Sequence, residues 1–324
     1  MPNDHILHAY EITDQGQGIP IPDDDLTKAI NSEVLTWVHL DGTKSESRAW
    51  LAKQGYLIDD LTIDALLETE TRPRIIEFES SLLVILRGVN LNKDERTEDM
   101  VSIRLWADQS RIFSVRNRQL RAVKDMEQRL LKSKGPTSSA DLLCQLIGRL
   151  FDRMEPVFSE LNDRLDDTEE RVLDSPDGTD RQAITLIRKQ AIAYRRYMAP
   201  QRDVIASLRA SDIPWFEKVH QRQLQESHNQ LIRYLEDIDT IRERAQIVKD
   251  ELTNILADKM NKNMYLLSIV AAVFLPLGFF TGLLGINVGG MPGAESDIAF
   301  WLVCLICIVF GVSVIGLFKY LKWL

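Results

Sequence analysis

The chain has 324 residues, 45% hydrophobic and 27% charged, and its 39 Lys and Arg are outnumbered by 48 Asp and Glu, for a net charge of -9. An acidic surplus repels nucleic-acid phosphates at every approach, so no nucleic-acid partner is expected. Three cysteines, Cys144, Cys304 and Cys307, are too few for a disulfide framework and fit a reducing compartment. The mean hydropathy of -0.14 looks soluble, but it averages two unlike parts: charge is dense before Asn263 and almost absent beyond it.

The opening residues MPNDHILHAYEITDQGQG contain neither a basic nor an apolar run, so no signal peptide is expected. Residues 1–138 read as an α/β domain. Strand-like runs lie at 35–40, 74–78, 81–89, 101–107 and 111–115, helical patterns at 45–54 and 59–68, and a hairpin turn at 108–110. Residues 139–214 read as a helical hairpin. Its first helix covers 140–173, with Leu142, Leu146, Leu150, Met154, Phe158, Leu161 and Leu165 at helical spacing. The DSPDG stretch at 174–178 breaks it, and a second helix runs to a further break at 211–214. A third helix begins near Trp215 and meets no Gly or Pro before Pro276. Continued over 215–284 it is a stalk of roughly 105 Å. A helix of that length needs partners, so an oligomer is expected.

Two segments decide the class. Residues 264–284 and 298–318 are each 21 positions without a charged residue, and such a helix covers roughly 30 Å, the thickness of bilayer hydrocarbon. Lys259 and Lys262 precede the first span, Lys319 and Lys322 follow the second in the tail 319–324, and the loop 285–297 has no Lys or Arg. The positive-inside rule then places both termini in the cytoplasm and the loop outside. Trp301, Tyr320 and Trp323 suit the lipid interface.

Two spans cannot enclose a pore alone; they anchor the chain, or several copies surround a channel. The first span carries a stripe that begins polar and turns small and apolar: Asp250, Asn254, Asn261, Met264, Leu267, Ser268, Ala271, Leu275, Gly278 and Gly282. Gly278 and Gly282 also fit a small-xxx-small packing surface, and both readings are compatible.

After the span come Gly285-Ile286-Asn287 and then Val288-Gly289-Gly290-Met291-Pro292-Gly293. With Phe274-Leu275-Pro276-Leu277-Gly278-Phe279 and Gly282, this resembles the CorA-type metal ion transporter family, whose signature at this position is Gly-Met-Asn. Ile286 in place of methionine, and the glycine-rich continuation, look like the zinc-transporting ZntB branch. The resemblance implies a CorA-like homopentameric funnel in the bacterial inner membrane. The stalk helix would line an axial pore for divalent cations, zinc first among them, with the second span outside it. It also implies a positive belt at the inner mouth, for which Lys319 and Lys322 are the candidates.

At the outer mouth, an amide ring from Asn287 can hold a hydrated ion through its waters without trapping it as a carboxylate ring would. Gly285 is expected to leave the helix in a left-handed conformation. Glu295 and Asp297 would form an outer acidic collar, or merely a solvated loop, and Asp250 attracts cations on the cytoplasmic side.

Zinc prefers nitrogen and sulfur ligands, yet the stripe contains no His or Cys. Cys304 and Cys307 are expected to act as small apolar residues, and His39 as a structural one. His5 and His8 have metal-capable spacing with nothing beside them to complete a site, while His220 and His228 are candidate cytoplasmic zinc ligands. No phosphate-binding Gly-rich loop or nucleophile–base pair stands out, so neither enzymatic activity nor a cofactor is expected. A magnesium or broad divalent channel, or a membrane-anchored oligomeric scaffold, are the alternatives. Neither span contains Asp, Glu, His, Lys or Arg, so no intramembrane proton relay is visible.

Overall fold

The computed structural model describes residues 4–286 and 296–320. By Cα packing the chain forms two units, Met1–Lys249 and Asp250–Leu324.

The first unit is built on a seven-stranded sheet of β1 (Ile6–Ile12), β2 (Gly18–Pro20), β3 (Leu35–Asp41), β4 (Arg74–Glu77), β5 (Leu82–Gly88), β6 (Val101–Ala107) and β7 (Arg111–Arg116), in the order β2-β1-β3-β7-β6-β5-β4. Neighbours are antiparallel except β3 and β7, which run parallel. Every residue of β5 and β6 is buried, as expected of strands covered on both faces. One face carries the main apolar core, in which Val38, Leu40, Leu83, Trp106, Phe113 and Val115 meet Leu26, Ile30, Leu51, Ile63 and Leu66. These last come from α1 (Leu26–Ile30), α2 (Ser45–Ala52) and α3 (Asp60–Leu67). The other face is covered by α4 (Arg121–Leu131) and α5 (Ser139–Asp152), with Leu150 against Gly88 and Leu130 against Gly18.

The hairpin turn at Asp108 forms as its residues require. The Asp108 carboxylate accepts from the Ser110 and Arg111 amides at 2.9 and 2.7 Å and from the Arg111 side chain at 2.8 Å. β1, β2 and α4 lie in stretches for which the sequence pattern predicts no element. β1 reads ILHAYEI, and its two histidine-and-glutamate interruptions hide the alternation of a strand.

The helix expected over 140–173 is two helices, α5 and α6 (Glu155–Asp174), because Pro156 in the first turn of α6 has no N–H to give Asp152. α7 (Gly178–Ala210) begins at a capping box between Asp177 and Asp180. α8 (Lys218–Leu284) is a single helix of 67 residues, starting three residues after Trp215. Trp215 instead donates from Nε1 to the Ser80 carbonyl at 2.9 Å.

Within the first unit the stalk finds partners in its own chain. Leu224, Leu231, Leu235, Ile238, Ile241, Ala245 and Val248 are buried at heptad-like spacing. Phe158 of α6 meets Tyr194 of α7 and Tyr234 of α8 edge-on at 5.1 and 5.3 Å. Arg244 of α8 reaches Asp166 and Glu169 of α6, and Arg195 of α7 reaches Asp239 of α8 at 2.7 Å.

Gln201 joins α7 to the sheet where β4 ends. Its amide accepts from the Arg87 N–H at 2.7 Å and donates to the Arg87 carbonyl at 3.2 Å, as a neighbouring strand would. The Arg87 guanidinium donates to the Thr71 and Met100 carbonyls and lies 4.3 Å from the Tyr197 ring centroid. Gln201→Ala removes both partners of a buried peptide group, at about 1–3 kcal/mol per unsatisfied group. A fall of several degrees in the thermal unfolding midpoint of the full chain is the expected result.

Candidate functional site

The second unit contains the apolar part of α8 and α9 (Ala299–Tyr320). Both have windows of high mean hydropathy, 2.2 and 2.8, in which no residue is buried. Each helix is shielded along one stripe only. On α8 the partly buried residues are Ile269, Val273, Leu277 and Phe280; on α9 they are Ala299, Val303, Cys304, Cys307, Gly311, Val314 and Phe318. These spacings of three and four each define one face, and the two faces are where the helices meet. A groove lined by Tyr265, Ser268, Ile269, Ala272 and Phe318 runs along this contact. Cys304 and Cys307 thus belong to the face turned to α8.

The predicted stripe lies on the other side. At about 100° per residue, Met264, Leu267, Ala271, Leu275, Gly278 and Gly282 centre roughly 170° around α8 from its shielded face. Leu267 and Leu275 are 69% and 78% exposed, and a Cβ added at Gly278 or Gly282 would meet nothing within 4 Å. Ser268 departs from the stripe: it borders the groove toward Phe318. Asn254, Asn261, Ser268, Leu275 and Gly282 repeat every seven residues, so their line slants by about 20° per heptad around a straight helix. Asn254 and Asn261 are exposed on that slanted line, and Asp250, one turn before Asn254, is exposed beside it; all three lie to one side of the apolar stripe.

The serine and threonine hydroxyls in the spans are satisfied within their own helices. Ser268 donates to the Met264 carbonyl at 2.9 Å, Thr281 to Leu277 at 2.9 Å and Gly278 at 3.2 Å, and Ser313 to Val309 at 2.7 Å. Pro276 has no N–H, which deprives the Ala272 carbonyl beside the groove of its helical donor.

Gly285 does not take the left-handed conformation expected of it: among the described glycines only Gly16 has positive φ. Gly285 instead closes the last turn, donating to the Thr281 carbonyl at 3.0 Å. A Cβ there would stand 3.2 Å from that carbonyl oxygen, so close approach is what favours glycine. Ile286 is half exposed. Asn287, Glu295 and Lys322 lie outside the described residues. Asp297 is exposed just before α9 and Lys319 on its last turn.

The two candidate zinc histidines are not brought into one site. His220 is buried and serves the start of α8, its Nδ1 accepting from the Glu217 amide at 3.1 Å. His228 sits near Arg209 and Arg202, and burial followed by these two cations lowers its pKa. Those same cations would repel a metal ion. Among the described residues no group of three His, Cys, Asp or Glu is placed to hold a metal.

A family model described as "CorA-like Mg2+ transporter protein" matches residues 32–320. The chain belongs to this CorA-like family of metal-ion transporters. It is 37% identical to the divalent cation transporter CmaX of Pseudomonas aeruginosa, over 98% of this chain and 97% of the relative. It is 35% identical to the zinc transport protein ZntB of Pectobacterium carotovorum, over 98% and 96%. The structure of full-length CmaX superposes with a TM-score of 0.86 at 36% identity, covering 100% of this chain and 99% of that one. The CorA magnesium transporter of Methanocaldococcus jannaschii has the same fold, with a TM-score of 0.81 at 19% identity over 100% of both chains. Family membership makes the chain a transmembrane transporter of divalent cations and not an enzyme.

The α8-facing stripe of α9 is the part of the site that periodicity alone left unread. Its signal is the small residues Ala299, Cys307 and Gly311, spaced eight and four apart. In a chain freed of its native cysteines, single cysteines at Leu275 and Gly278 should react severalfold faster with a water-borne thiol reagent than cysteines at Val273 or Val314. Equal rates would contradict water along the open face of α8.

Proposed function

We propose that the chain carries zinc across the bacterial inner membrane through an axial pore lined by α8 from five copies. The observation that carries this reading is the open face of α8 opposite α9. Five copies meeting along the heptad line Asn254, Asn261, Ser268, Leu275, Gly282 would supercoil, and supercoiling straightens a line that slants by about 20° per heptad. Small side chains at Ala271, Gly278 and Gly282 leave room for an ion that keeps its water. Asn287, following Ile286, would complete the outer mouth as a ring of amide dipoles. Exposed Asp250 would raise the cation concentration at the inner end and Asp297 at the outer, with Glu295 beside it. The lysine distribution, including Lys319 and Lys322, favours both termini in the cytoplasm.

Zinc is favoured over magnesium by the isoleucine of Gly285-Ile286-Asn287 and by the ZntB relatives. Since the stripe has no nitrogen or sulfur ligand, the ion is expected to pass hydrated, with selectivity coming from the fit of its hydration shell. A broad divalent channel is the second reading, favoured by the CmaX relative.

Purified protein in liposomes loaded with a fluorescent zinc reporter tests the proposal. Zinc entry well above empty vesicles is expected, and entry equal to empty vesicles defeats it. Magnesium in excess should compete weakly if zinc is the cargo, and strongly in a broad channel. Asn287→Ala should abolish most of the flux while leaving the oligomer intact; unchanged metal handling would favour a membrane-anchored scaffold.

A further inference from the structure

His8 and His39 form a buried pair that the transport site does not use. They are cross-strand neighbours on β1 and β3, on the face of the sheet that carries Trp37 and Ser114. Their rings stack with centroids 4.8 Å apart and planes 22° apart, and Trp37 meets His8 edge-on at 4.8 Å. His39 Nδ1 shares a 2.7 Å hydrogen bond with Ser114 Oγ. His8 Nδ1 lies 4.0 Å from Glu127 Oε1 on α4, and the same carboxylate oxygen accepts from the Tyr10 hydroxyl at 3.0 Å. The Nε2 atoms of His8, His39 and nearby His5 are buried without a hydrogen-bond partner.

Burial without a partner for either Nε2 disfavours charged rings here, and this opposes the attraction that the Glu127 carboxylate would offer a protonated His8. A protonated imidazole donates from both nitrogens, and neither orphan Nε2 has an acceptor in reach. The groups facing the pair are Tyr10 from β1, Trp37 and Asp41 from β3, Ser114 and Arg116 from β7, and Glu127 from α4, with His5 just before β1. Arg116 repels a cation here, and the Asp41 carboxylate is already held by the Thr43 amide and hydroxyl at 2.9 and 2.6 Å. One protonated ring would also repel the other across 4.8 Å.

We propose that the His8–His39 pair is an acid-sensitive latch, in which proton uptake in mildly acid solution releases α4 from the β1–β3 part of the sheet. α4 is suited to release: it is 11 residues long and has no side-chain cap at its start. It seats on Ala122, Val123, Met126 and Leu130, with Glu127 as its polar contact to β1.

The direction of the response follows from the closed state. Burial, and then the Arg116 charge, lower His8 from 6.5 to about 4; burial, then His8 and Arg116, hold His39 well below 6.5. Detached, both return toward about 6.5. The opened form therefore binds more protons between these values, so the latch is fully closed above pH 6.5 and weakens as the pH falls toward 4.

Hydrogen exchange on the full chain in detergent micelles, corrected for intrinsic rates, tests this. From about pH 7.5 to about pH 5, β1 and α4 should lose protection severalfold while α7 keeps its own. The double variant His8→Asn, His39→Asn offers an amide near each Nδ1 position and should abolish that pH response. A wild-type chain whose α4 protection does not change, or a double variant that responds as the wild type does, overturns the latch. Should the variant not fold, carbon-labelled histidine in the wild type decides by its NMR signals. The signals of His8 and His39, assigned among the five histidines, should resist protonation until α4 begins to exchange. Ordinary titration of all five with α4 still protected overturns the proposal.

Discussion

A polar group carried into hydrocarbon has to find its partner inside the protein, and the second unit is organised by that requirement. Two helices satisfy their own backbones, and their few hydroxyls turn back onto carbonyls one turn earlier. What remains for tertiary packing is which face of each helix meets protein. α8 meets α9 along Ile269, Val273, Leu277 and Phe280, so the face bearing Leu275, Gly278 and Gly282 stays uncovered within one chain. An uncovered stripe of small residues on a membrane helix is suited to meeting further copies of itself. The transport proposal uses this same freedom.

The first unit solves a different problem, a stalk helix in water. Its apolar heptad face is covered by the chain's own helices, and Phe158, Tyr194 and Tyr234 lock three of them together. The sheet is gripped where β4 ends, by Gln201 reading both backbone groups of Arg87 and by Tyr197 lying against the guanidinium. Few buried polar side-chain atoms here lack a partner, and the imidazole nitrogens of His8 and His39 on β1 and β3 are two of them.

Ion chemistry and fold agree in one respect. Inside the span the stripe presents no carboxylate, imidazole or thiol to a divalent cation, and among the described residues no group of three His, Cys, Asp or Glu is placed to hold a metal. A protein that strips water from zinc would place thiolates or imidazoles along its path. The transport proposal accordingly has the ion keep its hydration shell as it passes amides and small apolar residues.

The sequence by itself determined the elements whose signal is local. The uncharged runs of α8 and α9, the strands β3, β5, β6 and β7, and the Asp108 turn are legible because length, alternation and turn chemistry need no distant partner. The motif after Leu284 was equally legible and led to the family, although Asn287 lies outside the described residues. Tertiary structure alone decided what depends on contact. Pro156 splits a helix whose apolar periodicity is unbroken, and Gly285 is constrained by a carbonyl rather than by its φ. His220 caps α8 instead of waiting for zinc, and His8 meets His39 only because β1, hidden by its polar residues, pairs with β3. Periodicity places a residue on a face of its own element, whereas what covers that face is decided by residues far away in the chain.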